Sequence, residues 1–132
     1  MVERFIGTWK LISSEGFEDY MKNIGVPNSI RKMGNVVKPT LTISKQGDDI
    51  HLKTDRLFKT TEIIFKLGVE FEEITADNRI SKTIITLENG VMTQIQKWDN
   101  KETTIKREII DGQMVVTCVI NDATCVRVYE RE

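Results

Sequence analysis

Two stretches of this chain carry residues whose types and spacing suggest chemistry. The first is Val126-Arg127-Val128-Tyr129, close to the C-terminus. Read as a strand, it alternates, so Arg127 and Tyr129 point to one side while Val126 and Val128 point to the other. The second is Ile105-Lys106-Arg107-Glu108-Ile109. Arg107 falls on the face of Ile105 and Ile109, whereas Lys106 and Glu108 share the opposite, wet face. An arginine on the apolar side of a strand needs a partner, because an unpaired buried charge is very costly. Two guanidiniums and a phenol facing one enclosed space would make a socket for a single anionic head group, most simply a carboxylate. The alternative, from these residues alone, is an exposed edge carrying Arg127 and Tyr129, with Arg107 snorkelling to water.

Other chemistries have less material. The single histidine, His51, shares an outward face with Lys53 and Asp55 and has no serine or cysteine nucleophile nearby, which makes a poor triad. One histidine and two cysteines stand in no metal-ligand spacing. Glu72-Glu73 alternate faces and read as solvated charge at the edge of a turn. No catalytic residue, metal or cofactor is expected, and the chain is not expected to be an enzyme. Cys118 and Cys125 would face each other across two strands if Asn121-Asp122 is a two-residue turn. Both a cross-strand disulfide and a pair of small buried thiols are then open.

The elements that must position these residues are mostly strands. β-branched runs follow one another between turn dipeptides, at 7–14, 40–45, 49–55, 59–66, 70–74, 79–87, 91–98, 102–110, 113–120 and 123–130. Asn89-Gly90 and Asp111-Gly112 are strong hairpin signals. Only between the first and second runs does the period change. Phe17, Tyr20, Met21 and Ile24 form one helical stripe, and Ile30, Met33, Gly34 and Val37 a second. Pro27 suits a first helical position, and Lys38-Pro39 ends the pair. The expected fold is all-β, a ten-stranded antiparallel up-and-down barrel capped by a helix-turn-helix over about residues 17–37. A barrel of this strand number encloses more space than its own side chains fill. Mixed inward faces, such as Gln96 with Trp98 and Val116 with Cys118, suit a wet cavity better than a dry core.

Composition sets outer bounds. With 132 residues, one domain spanning the whole chain is expected. A net charge of −1 lacks the basic footprint of a nucleic-acid binder. The N-terminal residues show no secretory pattern and no run approaches about 18 apolar residues, so a cytoplasmic protein is expected.

Several stretches together resemble one family. They are Gly7-Thr8-Trp9-Lys10-Leu11, Asp19-Tyr20-Met21-Lys22, Phe65-Lys66-Leu67-Gly68, Thr75-Ala76-Asp77-Asn78-Arg79, Gln96-Lys97-Trp98-Asp99, Thr103-Thr104-Ile105-Lys106-Arg107 and Arg127-Val128-Tyr129-Glu130. With them the whole chain resembles the intracellular fatty-acid-binding proteins, in the branch of adipocyte, peripheral-myelin, heart and testis forms. The resemblance implies reversible binding and transport of long-chain fatty acids, with Arg107, Arg127 and Tyr129 holding the carboxylate. It implies a cavity and portal built from Phe17, Tyr20, Met21, Met33, Pro39, Phe58, Ala76, Asp77, Arg79, Gln96, Ile105, Val116 and Cys118. It suggests a monomer whose Lys22, Arg31 and Lys32 serve nuclear entry or contact with acidic membranes, and a nuclear receptor as a recipient. A solvated helix face is the alternative for those three cations. Retinoic-acid carriers share the Arg-x-Tyr pair, so a retinoid carrier of the same fold is the rival function. The chain departs from the branch at Gly16, which can serve as a helix cap, at Pro27, Asn28, Ser29 and Ile30, and at Val37, Ile64 and Val69.

Overall fold

The computed structural model describes residues 2–36, 38–56 and 59–132, and the side chains of all but 33–36 among them. Val37, Phe58 and the side chain of Met33 therefore lie outside the described residues.

Ten antiparallel strands follow a short 3₁₀ turn at Val2–Phe5. They are β1 (Gly7–Glu15), β2 (Thr40–Gln46), β3 (Asp49–Arg56), β4 (Lys59–Phe65), β5 (Phe71–Ile74), β6 (Ile80–Glu88), β7 (Val91–Trp98), β8 (Lys101–Ile110), β9 (Gln113–Ile120) and β10 (Ala123–Arg131). The helices α1 (Phe17–Ile24) and α2 (Asn28–Val36) lie between β1 and β2. All ten strands join one sheet in the order β4-β3-β2-β1-β10-β9-β8-β7-β6-β5. Each strand thus pairs with its sequence neighbour, and β1 pairs with β10 to curl the sheet into a nearly closed barrel. The end strands β4 and β5 do not bond to each other as a ladder. The stacked rings of Phe65 and Phe71, 5.8 Å apart, close part of that gap. The backbone N–H of Gly68 also donates to Ile85 O at 2.8 Å.

Local chemistry explains the turns. Asn89-Gly90, Asp99-Asn100 and Asp111-Gly112 all take positive φ at both positions, the conformation of tight hairpin turns that match strand twist. Alternation holds along most strands, with buried Met114, Val116, Cys118 and Ile120 on β9 facing inward. It slips once, at a bulge in β1 between Leu11 and Ser13, which leaves Ile12 exposed.

The interior has two regions. Trp9, Phe5, Ile43, Ile50, Phe65, Ile85, Met92 and Met114 make a dry apolar layer at the end closed by the 3₁₀ turn. Trp9 Nε1 donates to Phe5 O at 2.9 Å there, and Arg131 lies 4.2 Å over the Trp9 ring. Toward the helices the inward residues become polar: Thr83, Gln94, Gln96, Thr103, Arg107 and Arg127 are all buried.

The helical segment differs from its sequence reading in two ways. Tyr20, Met21 and Ile24 are buried as the first stripe requires, but Ile30 of the second stripe is 49% exposed. The second helix begins at Asn28 rather than Pro27, whose carbonyl accepts from the N–H groups of Ile30 and Arg31. Gly16 is the N-cap of α1, as its sequence position suggests, and its carbonyl accepts from the Tyr20 N–H at 3.0 Å. It sits at φ +74°, and a Cβ there would lie 2.3 Å from Thr124 O, so the close approach of β10 dictates glycine at this cap.

Candidate functional site

Register assembles the site. Arg127 on β10 pairs with Val116 on β9, Val116 pairs with Arg107 on β8, and Arg107 pairs with Met92 on β7. The two arginines therefore stand in one row, separated by one strand, or roughly 10 Å between their backbones. Tyr129 lies one inward position along, beside Met114 and Leu11. The row on the helix side is Gln94, Ile105, Cys118 and Cys125. Gln94 is diagonal to Arg107 and within side-chain reach.

The two arginines are held differently. Arg107, 8% exposed, donates from Nη1 to Gln94 Oε1 at 2.8 Å, while its Nε has no acceptor among the described residues. Arg127, 7% exposed, also has an Nε without an acceptor, and its guanidinium lies 3.8 Å over the ring of Phe17 at the start of α1. Burial lowers the Arg107 pKa, opposed by Cys118 and Tyr129. Burial also pushes the Tyr129 phenol up, opposed by the fields of Arg127 and Arg107. Tyr129 is thus a neutral donor at neutral pH beside two cations.

Glu73 corrects the reading of Glu72-Glu73 as solvated charge. Glu72 is exposed, but Glu73 is buried at 8% exposure. Its Oε1 accepts from Thr83 Oγ1 at 2.9 Å, Gln94 Nε2 at 2.9 Å and Gln96 Nε2 at 3.0 Å. Three donors on one oxygen suit an ionised, acceptor-only carboxylate. The Gln94 amide therefore bridges the two charges, accepting from Arg107 and donating to Glu73. Glu73 shares the face of Phe71 and pairs with Ser81 on β6, which is buried together with Thr83, a setting that strand pairing supplies and alternation within β5 does not.

The network continues to the rim. Arg79 Nη1 donates to Gln96 Oε1 at 3.2 Å, and its Nε and Nη2 clasp Asp77 at 2.7 and 3.1 Å. Thr75 Oγ1 donates to Asp77 Oδ1 at 2.7 Å, and the Arg79 guanidinium lies 4.3 Å over Trp98. Burial opposes ionisation of Asp77, but the bonds from Arg79 and Thr75 outweigh it and hold the carboxyl below its usual range. Ala76, between them, accepts through its carbonyl from Lys59 Nζ at 2.7 Å, tying the start of β4 to the turn between β5 and β6.

The remaining predicted residues divide. Thr103 Oγ1 gives its one proton to Val119 O at 2.9 Å and so accepts from the Tyr20 hydroxyl at 2.6 Å, and Met21 is buried. Burial pushes the Tyr20 phenol far up. Pro39, Val116 and Cys118 are buried, and Ile105 and Phe17 are half-buried. Cys118 and Cys125 sit opposite each other as free thiols. A hydrogen bond with Cys125 and burial together push the Cys118 thiol well up. Lys22 and Lys32 are exposed, but Arg31 is half-buried. It donates to Val26 O at 2.6 Å and Asn28 Oδ1 at 3.3 Å, pinning the turn between the helices.

Comparison with known proteins fits this geometry. The family model described as "Lipocalin / cytosolic fatty-acid binding protein family" matches residues 6–132. The chain is 56% identical over 131 residues to the adipocyte fatty acid-binding protein of Pygoscelis papua, covering 99% of each chain. It is likewise 56% identical over 131 residues to fatty acid-binding protein 9 of Homo sapiens, again covering 99% of each. The crystal structure of Echinococcus granulosus fatty-acid-binding protein 1 superposes with a TM-score of 0.95 at 42% identity, covering 98% of both chains. With ten strands in sequential order, a helical pair after the first and a match across nearly its whole length, the chain belongs to the lipocalin / cytosolic fatty-acid binding protein family.

Proposed function

We propose that this protein reversibly binds and transports long-chain fatty acids, with Arg107, Arg127 and Tyr129 holding the carboxylate. The observation that carries this reading is Arg127. It is a buried cation whose Nε has no acceptor among the described residues and whose guanidinium lies over the face of an aromatic ring. Such an arrangement is costly in an empty protein and is relieved when an anion arrives.

Magnitudes divide the work between tail and head. Transfer of an acyl tail from water gains roughly 0.8 kcal/mol per CH₂, so a long chain gains about 10 kcal/mol. Association itself costs roughly 4–15 kcal/mol. The tail supplies most of the drive with little discrimination. Charge-assisted bonds to the head group add roughly 1.5–3 kcal/mol each and select an acid. The protein's role ends at capture and release; it does not alter the lipid. It acts as a cytoplasmic monomer, with exposed Lys22 and Lys32 available to acidic membranes or to the machinery of nuclear entry.

The test is a competition titration on delipidated protein, displacing a fluorescent fatty acid with saturated and unsaturated fatty acids and with retinoic acid. Fatty acids are expected to displace the probe more strongly than the retinoid. Arg127→Gln is expected to weaken fatty-acid binding tenfold or more. Unchanged affinity in that variant would remove the head-group assignment. Preference for retinoic acid would replace the fatty-acid reading with the retinoid one.

A further inference from the structure

We infer that Glu73 sets the charge of the head group the barrel accepts, fixing it at a single negative charge. The inference rests on the proposed binding of an anionic lipid and names a specificity determinant within that site. Among the described residues, the buried charged side chains are Glu73, Arg107 and Arg127. One carboxylate against two guanidiniums leaves one positive charge to be neutralised. Glu73 reaches this balance through Gln94, whose carbonyl takes a bond from Arg107 and whose amide gives one to Glu73. A monoanion completes the count. A dianion overshoots it and places excess negative charge in a desolvated space facing Glu73.

The other charged and titratable groups around this space are paired, hydrogen-bonded, protonated or open to solvent. Asp77 and Arg79 neutralise each other at the rim. Arg56, at the end of β3, is partly desolvated, which lowers its pKa, and its field reaches Arg127 and Tyr129, but its side chain is open to solvent, which screens that field. Tyr20 on α1, Tyr129 on β10 and Cys118 on β9 keep their protons. The pKa of Cys125 on β10 is lowered by its hydrogen bond with Cys118, with which it forms one pair of free thiols.

The experiment compares tetradecyl phosphate with tetradecyl sulfonate, both below their micellar concentrations, as displacers of a fluorescent fatty acid. The sulfonate is a monoanion throughout. The phosphate gains its second charge around pH 6. In the unmodified protein, phosphate affinity relative to sulfonate is expected to fall at least tenfold from about pH 5 to about pH 8. In Glu73→Gln that fall is expected to vanish. Should the single variant fail to fold, Arg107→Gln and Arg107→Gln/Glu73→Gln provide a second comparison. The first has no net interior charge and is expected to bind the sulfonate poorly. The second regains one positive charge and is expected to recover at least tenfold. A phosphate that binds the unmodified protein equally well at both pH values overturns the inference. So does a Glu73→Gln protein with unchanged discrimination, or a double variant that recovers nothing. Failure of the sulfonate and of fatty acids alike to displace the probe from the unmodified protein would instead overturn the proposed function.

Discussion

Arg107 and Arg127 share a row but not an environment, and that difference predicts different costs of removal. Arg107 satisfies the buried Gln94 carbonyl. Replacing it with Gln in a shorter reach leaves that acceptor open, at about 1–3 kcal/mol. Arg127 stacks on Phe17, and its Nε has no acceptor among the described residues. Arg127→Leu is therefore expected to leave stability unchanged or raise it by about 1–3 kcal/mol while abolishing head-group binding. Urea denaturation of the delipidated variants checks this. A large loss of stability on removing Arg127 would show that its charge is compensated in a way the contacts do not record. Period-two alternation put Arg127 and Tyr129 on one face and Arg107 on the face of Ile105 and Ile109, but it left open an exposed edge, which the burial of all three excludes. Glu73 was not legible in this way, because Glu72 precedes it and the pair looks like ordinary turn charge. Only pairing with β6 reveals that Ser81 and Thr83 lie buried beside it.

At the scale of elements, the turn between β5 and β6 and the helix α1 are each fixed by a few polar bonds. The Asp77 carboxyl is held low by Arg79 and Thr75, so its folded pKa lies below the unfolded one. Its stabilising contribution is present above the ordinary carboxylate pKa and is lost as pH falls through the folded value. Asp77→Asn is expected to destabilise the protein by about 1 kcal/mol at neutral pH and to flatten its acid-induced loss of stability. Thermal melts across the acid range measure both. Tyr20 works with the opposite sign. Its raised pKa means that stability is full below the unfolded value near 10 and declines as pH rises past it. Tyr20→Phe, which also loses the bond to Thr103, is expected to cost about 1 kcal/mol at neutral pH and to soften the alkaline decline. Element type and order were readable because turn dipeptides and period agreed at nearly every junction. The helix pair was less so. Its second stripe included Ile30, which is exposed, and Gly16 answers to the backbone of β10, a neighbour more than a hundred residues away. Helical periodicity does not report contacts of that range.

Across the whole molecule, the interior divides into a dry apolar floor and a polar upper half. The floor, built on Trp9, Phe5, Ile85, Met92 and Met114, holds the barrel shut at one end. The upper half carries hydrogen bonds from Asp77 and Arg79 at the rim, through Gln96, Glu73 and Gln94, to Arg107. A barrel filled in this way gives up stability to a charged interior, as the proposed binding of an acid requires. Ligand binding should return that stability: fatty acid at about a hundred times its Kd adds about 2.7 kcal/mol by mass action. The most direct test of the account is magnetic resonance of a fatty acid labelled at its carboxyl carbon and bound to the protein. Held against Arg127 and Arg107, the carboxyl is expected to stay ionised as pH is lowered well below the ordinary range near about 4.5, and to titrate normally in Arg127→Gln. A bound carboxyl that titrates in the unmodified protein as it does in water would contradict the account.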